Sequence, residues 1–262
     1  MGGEISSPCR YAPPFFDNYM NLLESIAPFD GYATAIAQDI FGLLGISVKV
    51  QNPERLPSSG PLLIVCNHRS FLDPFILTSY LNTPINFACH RYMGNVPVLR
   101  EVLQSCGGFP LSNKDWYRDL IDHSTNLLDR GKTIGIFPEG AAPMLATPTP
   151  KGIYPFYRGF AHLALQATVP NLQILPVAIC SQAEVQWPAV PLSILHHLDP
   201  LEPLFRQDGW HPAVLYQRVV IRIGEPFAIE PYRERYHGRQ AGKVVKDLTA
   251  TLSHQVADLL AA

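Results

Sequence analysis

Residues 62–77, LLIVCNHRSFLDPFIL, contain the end of one apolar run and the start of another. The first run, 62–66, is short and uncharged and predicts a buried strand. The second begins at Asp73-Pro74, a pair typical of the N-cap and first residue of a helix. A strand followed directly by a helix is the repeating unit of α/β folds, in which ligands usually bind at the carboxyl ends of the strands.

His68 and Asp73 lie in the loop between this strand and helix. On a continuous helix their spacing would leave the two side chains roughly 140° apart, so a turn is needed to bring them together. A carboxylate beside one imidazole nitrogen fixes the tautomer and favours the protonated ring. The pair then predicts a general base for a hydroxyl of the substrate. A helix cap plus a core histidine is the alternative. Ser70 could complete a triad, although its position favours a local hydrogen bond in the turn.

Strand-like and helix-like segments alternate along the rest of the chain. Predicted strands are 85–89, 108–111, 133–137, 173–179 and 214–223, and predicted helices begin at residues 74, 98, 115 and 159, with a closing helix over 244–259. This rhythm predicts an α/β fold with a mixed, largely parallel central sheet flanked by helices. Two proline-rich stretches, 141–157 and 182–212, are predicted to be long loops that serve as lids, as binding walls or as irregular surface.

The N-terminal region carries apolar residues at helical spacing in two sets. They are Phe15, Phe16, Tyr19, Leu23 and Ile26, followed by Tyr32, Ile36, Ile40 and Leu44. We therefore predict a helical hairpin over residues 1–46 and an α/β domain over 47–262. Two roles are open for the hairpin: it packs against the core, or it docks on a bilayer surface. One hairpin can do both.

Composition narrows the classes of function. The 262 residues are 47% hydrophobic and 16% charged, with a net charge of -2. Without a basic stripe to neutralise phosphates, we expect no nucleic acid partner, and any membrane contact should be mainly apolar. The five cysteines lack CxxC spacing and His196-His197 lacks a third ligand, so we expect neither a disulfide framework nor a metal site. This cysteine usage favours a reducing, cytosolic compartment.

The sequence also lacks the motifs of several enzyme classes. It contains no G-x-S-x-G, H-E-x-x-H, G-x-x-x-x-G-K-[ST] or G-x-G-x-x-G pattern. Serine hydrolase, zincin, P-loop and dinucleotide-binding functions therefore lose their usual signals.

Two blocks in the chain resemble those of the 1-acylglycerol-3-phosphate acyltransferase family of glycerolipid acyltransferases. The first is Asn-His-x-Ser-x-Leu-Asp-Pro, here Asn67 to Pro74, and the second is Phe-Pro-Glu-Gly, here Phe137 to Gly140. Further matches are Arg158-Gly159, Pro176-Val177 and Gly224-Glu225-Pro226, so that the resemblance extends over residues 52–227.

The resemblance implies that His68 deprotonates an acceptor hydroxyl, which attacks the thioester of acyl-CoA or acyl-carrier protein while Asp73 orients the histidine. It implies a lipid acceptor and neither metal nor other cofactor. Together with the apolar N-terminal helices and the cysteine usage, it favours an enzyme associated peripherally with the cytoplasmic side of a membrane. The substrate-binding residues that it suggests, either directly or by position, are Asn67, Ser70, Asn113, Lys114, Glu139, Gly140 and Arg158. Glu139 would shape the acceptor site, and Gly140 would let the backbone approach it closely.

The chain departs from the family pattern at two phosphate-gripping arginines. Asn113 stands where the first is expected, and Ala141-Ala142 follows Phe-Pro-Glu-Gly where the second is expected. Neither Asn nor Ala replaces the charged fork of arginine. The candidate substitutes are Lys114, Arg118, Lys151 and Arg158. A solvated surface charge is the favoured interpretation of the first three, whereas Arg158 matches a family position. Lysophosphatidate remains the leading acceptor. The alternatives are a lipid alcohol without a phosphomonoester, an inactive lipid-binding relative, and a thioesterase-like hydrolase.

Overall fold

A computed structural model describes residues 38–89, 108–110, 116–146 and 152–262. The strands are β1 (Ser47–Gln51), β2 (Leu62–Cys66), β3 (Ile85–Cys89), β4 (Phe109–Pro110), β5 (Thr133–Ile136), β6 (Gln173–Pro191), β7 (Trp210–Ile223) and β8 (Phe227–Ala228). The helices are α1 (38–43), α2 (Asp73–Leu81), α3 (Trp116–Asp129), α4 (Ala142–Ala146), α5 (Gly159–Gln166), α6 (Leu192–Leu198), α7 (Glu230–Arg233) and α8 (Ala241–Ala261). Short 3-10 turns cover Pro53–Arg55, Pro203–Arg206 and Gly238–Gln240.

The eight strands form one sheet in the order β1-β7-β6-β2-β5-β3-β4, with β8 paired to β6. The pairs β1/β7, β2/β6, β2/β5, β3/β5 and β3/β4 are parallel. The pairs β6/β7 and β6/β8 are antiparallel. The predicted mixed, largely parallel sheet is confirmed.

Helices cover both faces of the sheet, as predicted. Alternate residues of β2 point to opposite sides, so that Leu62 and Ile64 pack in one core and Leu63 and Val65 in the other. The first core contains α1 and α2, and the second contains α3, α5 and α8. Residues 1–37 of the predicted hairpin lie outside the described residues. None of the described helices combines the length and apolarity needed to span a membrane.

The prediction of a long loop over 182–212 was wrong. β6 continues to Pro191 and pairs with β7 back to Trp210, which forms a two-stranded arm that carries α6 between its strands. Pro188 and Pro191 suggested a break in the strand. Pro188 lies where the register shifts between Pro188 and Val190, and Pro191 is the last residue of the strand. The other predicted loop, 141–157, contains the short helix α4.

The start of α2 also differs from the prediction. The helix begins at Asp73 rather than at Pro74, and the N-cap is Leu72. Asp73 does not cap the helix, because its carboxylate accepts hydrogen bonds from backbone N–H groups that precede the helix, those of Arg69 and Ser70. This places the Asp73 side chain inside the loop after β2.

Candidate active site

The loop after β2 brings His68 and Asp73 into contact. His68 Nδ1 lies 2.9 Å from Asp73 Oδ2, and the Asp73 side chain is fully buried while that of His68 is 17% exposed. Because Asp73 accepts at Oδ2, the hydrogen-bonded tautomer carries its proton on Nδ1 and leaves a lone pair on Nε2. Within the described residues, no hydrogen-bond partner occupies Nε2. An imidazole held in this way can accept a proton at Nε2.

Four donors surround the Asp73 carboxylate. Oδ2 accepts from His68 and from the backbone N–H groups of Arg69 at 2.7 Å and Ser70 at 2.9 Å. Oδ1 accepts from the hydroxyl of Tyr216 at 2.7 Å. Hydrogen bonds to the charged form of an acid stabilise that form, so these donors compensate for the loss of water around Asp73.

Asn67 and Ser70 fasten the same loop to the neighbouring strands. The Asn67 side chain exchanges two hydrogen bonds with the backbone of Ile179 in β6, at 3.1 and 2.8 Å. Ser70 Oγ donates to the carbonyl of Val214 in β7 at 2.7 Å and accepts from the N–H of Leu72 at 3.2 Å. Both side chains are buried. The substrate-binding role suggested for them stays a prediction, and the contacts shown are structural.

Glu139 joins the two sequence blocks. Its carboxylate accepts from the N–H of His68 at 2.8 Å and from the N–H of Tyr154 at 2.6 Å. Burial raises the pKa of Glu139, and the two N–H donors oppose that rise. Gly140 adopts a φ of 66°, and a Cβ there would meet the Tyr157 ring at 3.1 Å. The left-handed φ therefore favours glycine in this turn, and the Tyr157 ring leaves little room for a side chain there.

A stack of rings forms the wall behind the base. The His68 and Phe137 rings are stacked with centroids 4.2 Å apart, and Phe137 stacks in turn on Phe87 at 5.3 Å. Gly135 lies opposite Phe87 in the sheet, and a Cβ at Gly135 would collide with the Phe87 ring. The absence of a side chain at Gly135 therefore makes room for the ring that supports the stack.

The structure places Arg158 next to the Phe137–Gly140 turn. The N–H of Tyr157 donates to the carbonyl of Pro138 at 2.8 Å, and the exposed Arg158 follows directly as the N-cap of α5. Within the described residues, no hydrogen bond or ion pair joins Arg158 to His68 or Asp73. Arg118 lies exposed on α3, 4.0 Å from Asp122. Asn113, Lys114 and Lys151 lie outside the described residues.

Sequence reasoning missed three side chains that surround the loop. Tyr216 and Glu184 face each other in the β6/β7 register, and Glu184 forms a two-pronged ion pair with Arg69. His211 lies close enough to His68 for their charges to interact. Burial lowers the pKa of His211, a hydrogen bond to the Pro212 carbonyl opposes this, and the charge on His68 adds to the lowering. No local pattern signals these contacts, because each depends on how β6 and β7 pair.

The described residues beside the base show no protein nucleophile aimed at it. Burial raises the pKa of Cys66 well above its ordinary value, with smaller contributions from the charges of Asp73 and Glu139, so its thiol stays neutral. The hydroxyl of Ser70 is committed to Val214. In the same part of the chain, no cluster of three or more His, Cys, Asp or Glu side chains could hold a metal ion.

Comparison with known proteins agrees with the resemblance. The family model described as Acyltransferase matches residues 47–180. The chloroplastic 1-acyl-sn-glycerol-3-phosphate acyltransferase BAT2 of Brassica napus is 29% identical over 194 residues, which cover 72% of this chain and 49% of that protein. The chloroplastic LPAT1 of Arabidopsis thaliana, which bears the same enzyme name, is 31% identical over 96 residues, 36% of this chain and 27% of that protein. The chain thus spans about half the length of the first relative and a smaller share of the second.

The fold is shared with a solved structure. The crystal structure of the 1-acyl-sn-glycerophosphate (LPA) acyltransferase PlsC from Thermotoga maritima superposes with a TM-score of 0.53 at 19% identity, covering 95% of this chain and 90% of that one. The family model takes in β1, the loop that carries His68 and Asp73, the Phe137–Gly140 turn and the first part of β6, just over half of the chain. The protein therefore belongs to the acyltransferase family.

Proposed function

We propose that this protein transfers an acyl group from an acyl thioester to a hydroxyl of a lysophosphatidate-like glycerolipid. The observation that carries the proposal is the contact between His68 Nδ1 and the buried Asp73 carboxylate, which leaves Nε2 directed away from its partner. Family membership supports the reaction class. The intact pair argues against an inactive lipid-binding relative.

The transfer needs one base and no covalent enzyme intermediate. Nε2 of His68 takes the proton of the acceptor hydroxyl as the oxygen bonds to the thioester carbonyl carbon, and Asp73 stabilises the imidazolium that forms. The carbon–sulfur bond then breaks, and the imidazolium returns the proton to the departing thiolate. The products are an ester and a free thiol, of CoA or of acyl-carrier protein. Hydrogen-bond donors at the carbonyl oxygen would stabilise its negative charge.

For the acceptor, we propose lysophosphatidate first and a lipid alcohol without a phosphomonoester second. The names of the two plant relatives favour the first. Asn113 and Ala142 favour the second, because both stand where an arginine would grip phosphate. Arg158, beside the Phe137–Gly140 turn, is the described cation best placed to supply that charge in their absence.

We further propose that the protein works at a membrane surface without crossing it, on the cytoplasmic side. The acceptor is amphiphilic, and the described helices include none that spans a membrane. Exposed apolar side chains on the arm, Ile194, Leu198, Leu201 and Trp210, support contact with lipid in addition to the predicted hairpin.

Thiol release tests the reaction class. The purified protein is incubated with acyl-CoA, or with acyl-carrier protein as donor, in the presence and absence of an acceptor. Release that requires the acceptor supports transfer. Release without it would show a hydrolase, and no release with any acceptor would favour the lipid-binding alternative.

A mass-spectrometric screen tests the acceptor. Lysophosphatidate, other lysophospholipids, glycolipids and simple lipid alcohols are offered with one donor. We expect lysophosphatidate to be acylated, and Arg158→Ala to raise its KM while the exposed Arg239→Ala does not. Activity on neutral alcohols alone would overturn the lysophosphatidate proposal. Unchanged kinetics in Arg158→Ala would exclude its role in phosphate binding.

A further inference from the structure

Tyr216 connects the arm to the His68–Asp73 pair. It lies on β7 opposite Glu184 of β6, is 1% exposed, and donates its hydroxyl proton to Asp73 Oδ1 at 2.7 Å. The two residues are separated by 143 positions in sequence. A buried tyrosine hydroxyl usually has a hydrogen-bond partner, and here that partner is the carboxylate that holds the proposed general base.

The donors divide between the two oxygens of Asp73. Oδ2 accepts hydrogen bonds from His68 Nδ1 and from two backbone N–H groups. Among the described residues, Tyr216 donates to Oδ1. A carboxylate is a rigid planar group, so rotation about its Cβ–Cγ bond moves both oxygens together. The hydroxyl of Tyr216 therefore adds a restraint from the Oδ1 side to the one that the donors on Oδ2 impose.

Tyr216 remains a donor throughout the working pH range. Burial raises the pKa of its phenol well above the ordinary value, and the negative charge of Asp73 raises it further. The phenol therefore stays neutral and keeps its proton. It also draws charge away from Asp73, because hydrogen bonding to a charged acid stabilises the charged form.

We propose that Tyr216 is a positioning residue for the His68–Asp73 pair. It holds Asp73 Oδ2 against His68 Nδ1, and it limits how strongly the carboxylate attracts the imidazolium. The first effect keeps Nε2 aimed at the acceptor hydroxyl. The second moderates the attraction that Asp73 exerts on the imidazolium formed during the reaction. The proposal rests on the proposed function, since the pair is assigned there as the base.

Tyr216→Phe tests the proposal, with Tyr80→Phe as the matched control. Tyr80→Phe also removes one phenol hydroxyl, but from α2, where the Tyr80 ring packs near Phe41. We expect Tyr216→Phe to lower kcat about tenfold, the size of effect of one hydrogen bond to a charged group, with KM nearly unchanged. The pH of half-maximal kcat/KM should rise, because Asp73 attracts the imidazolium more strongly. Both variants are assayed well below their unfolding temperatures.

A second variant reverses the expected change. Tyr216→3-fluorotyrosine keeps the ring and the hydroxyl but makes the phenol a stronger donor. The pH of half-maximal kcat/KM should then fall. Because this variant retains the buried hydrogen bond, it tests the proposal even if Tyr216→Phe is too unstable to assay.

NMR of 15N-histidine-labelled protein provides a readout without activity. The hydrogen-bonded Nδ1 proton of His68 should shift or broaden in Tyr216→Phe and remain unchanged in Tyr80→Phe. If the wild-type protein acylates no acceptor, the proposed function fails while this measurement still decides the role of Tyr216. An unchanged His68 resonance, or an unchanged kcat and pH profile in an active, folded Tyr216→Phe variant, would overturn the proposal.

Discussion

The backbone N–H of His68 donates a hydrogen bond to Glu139 Oε1 at 2.8 Å, which joins two loops 71 positions apart. Glu139→Gln keeps the size of the side chain but replaces one acceptor oxygen by an NH₂ group that faces an N–H donor. We expect a loss of about 1–3 kcal/mol in unfolding free energy and a clear fall in kcat, because the amide can no longer accept from both the His68 and the Tyr154 N–H groups. Urea unfolding and thiol release measure the two effects.

The exposed Glu54→Gln is the control for Glu139→Gln. It should leave both quantities nearly unchanged. A Glu139→Gln protein with wild-type stability and kcat would show that the bond between the two loops is dispensable.

His68→Ala should reduce acyl transfer by about 10²- to 10⁴-fold, the usual effect of removing a general base. The fold should persist, because the His68 side chain is partly exposed and the backbone bond to Glu139 does not depend on it. Thiol release at saturating acceptor measures the rate, and circular dichroism checks the fold. The exposed His254→Ala on α8 should retain full activity. Near-normal turnover by folded His68→Ala would contradict the mechanism.

Glu184→Gln should destabilise the protein by about 2–4 kcal/mol at pH 7, since it leaves the charge of Arg69 without the Glu184 carboxylate. The side chains are 4% and 9% exposed. Burial opposes ionisation of Glu184, but the hydrogen bonds and charge of Arg69 outweigh it and lower the pKa of Glu184.

The lowered pKa of Glu184 sets the direction of the pH dependence. The ionised Glu184 makes its full contribution to the free energy of unfolding above the ordinary glutamate pKa of about 4.3. That contribution is lost as the pH falls through the lowered pKa. The stability difference between the wild type and Glu184→Gln should therefore shrink in acid. Urea unfolding at several pH values checks this. Glu225→Gln removes an exposed partner of Arg55 and should change stability by less than about 1 kcal/mol. A difference that grew in acid would contradict the assignment.

Gly135→Ala should destabilise the protein by about 1–3 kcal/mol, because an added Cβ would stand 2.8 Å from Ile85 Cγ2 and would overlap the Phe87 ring. Displacing Phe87 should also lower kcat through the stack on Phe137 and His68. Thermal unfolding and kinetics measure these effects. Gly242→Ala on α8, where a Cβ meets nothing within 4 Å, should be neutral or stabilising. Equal stability of the two variants would refute the steric argument.

Replacing Ile194, Leu198 and Leu201 by serine should weaken binding to phospholipid vesicles, because these exposed apolar side chains lie on the arm. Deleting residues 1–37, which keeps the buried Ile40 and Phe41 of α1 in place, should weaken it further. Salt should have little effect, since few basic residues contribute. Vesicle sedimentation checks all three expectations, with Tyr117→Ser, which removes an exposed ring on α3, as control. Unchanged sedimentation of the triple variant would exclude the arm, and unchanged sedimentation of the deletion variant would exclude the hairpin.

The sequence predicted local features well and distant contacts poorly. The strand, turn and helix around His68 follow from neighbouring residues, and so does the contact with Asp73. The partners of Ser70 and Asp73, namely Val214 and Tyr216, lie more than 140 positions away. Nothing in the spacing of the residues specifies such pairs, because they depend on the register of β7 against β6. The arm was predicted as a loop because it contains Pro188 and Pro191, and proline usually marks the end of a strand.

The long separation between Asp73 and Tyr216 also has a consequence during synthesis. The 143 positions between them take on the order of ten seconds to translate. A nascent chain therefore exposes both sequence blocks well before β7 can supply the phenol and the Val214 carbonyl that secure the loop. We expect a chain released from the ribosome before β7 to leave acyl thioesters intact, so that acylation begins only once the arm has paired.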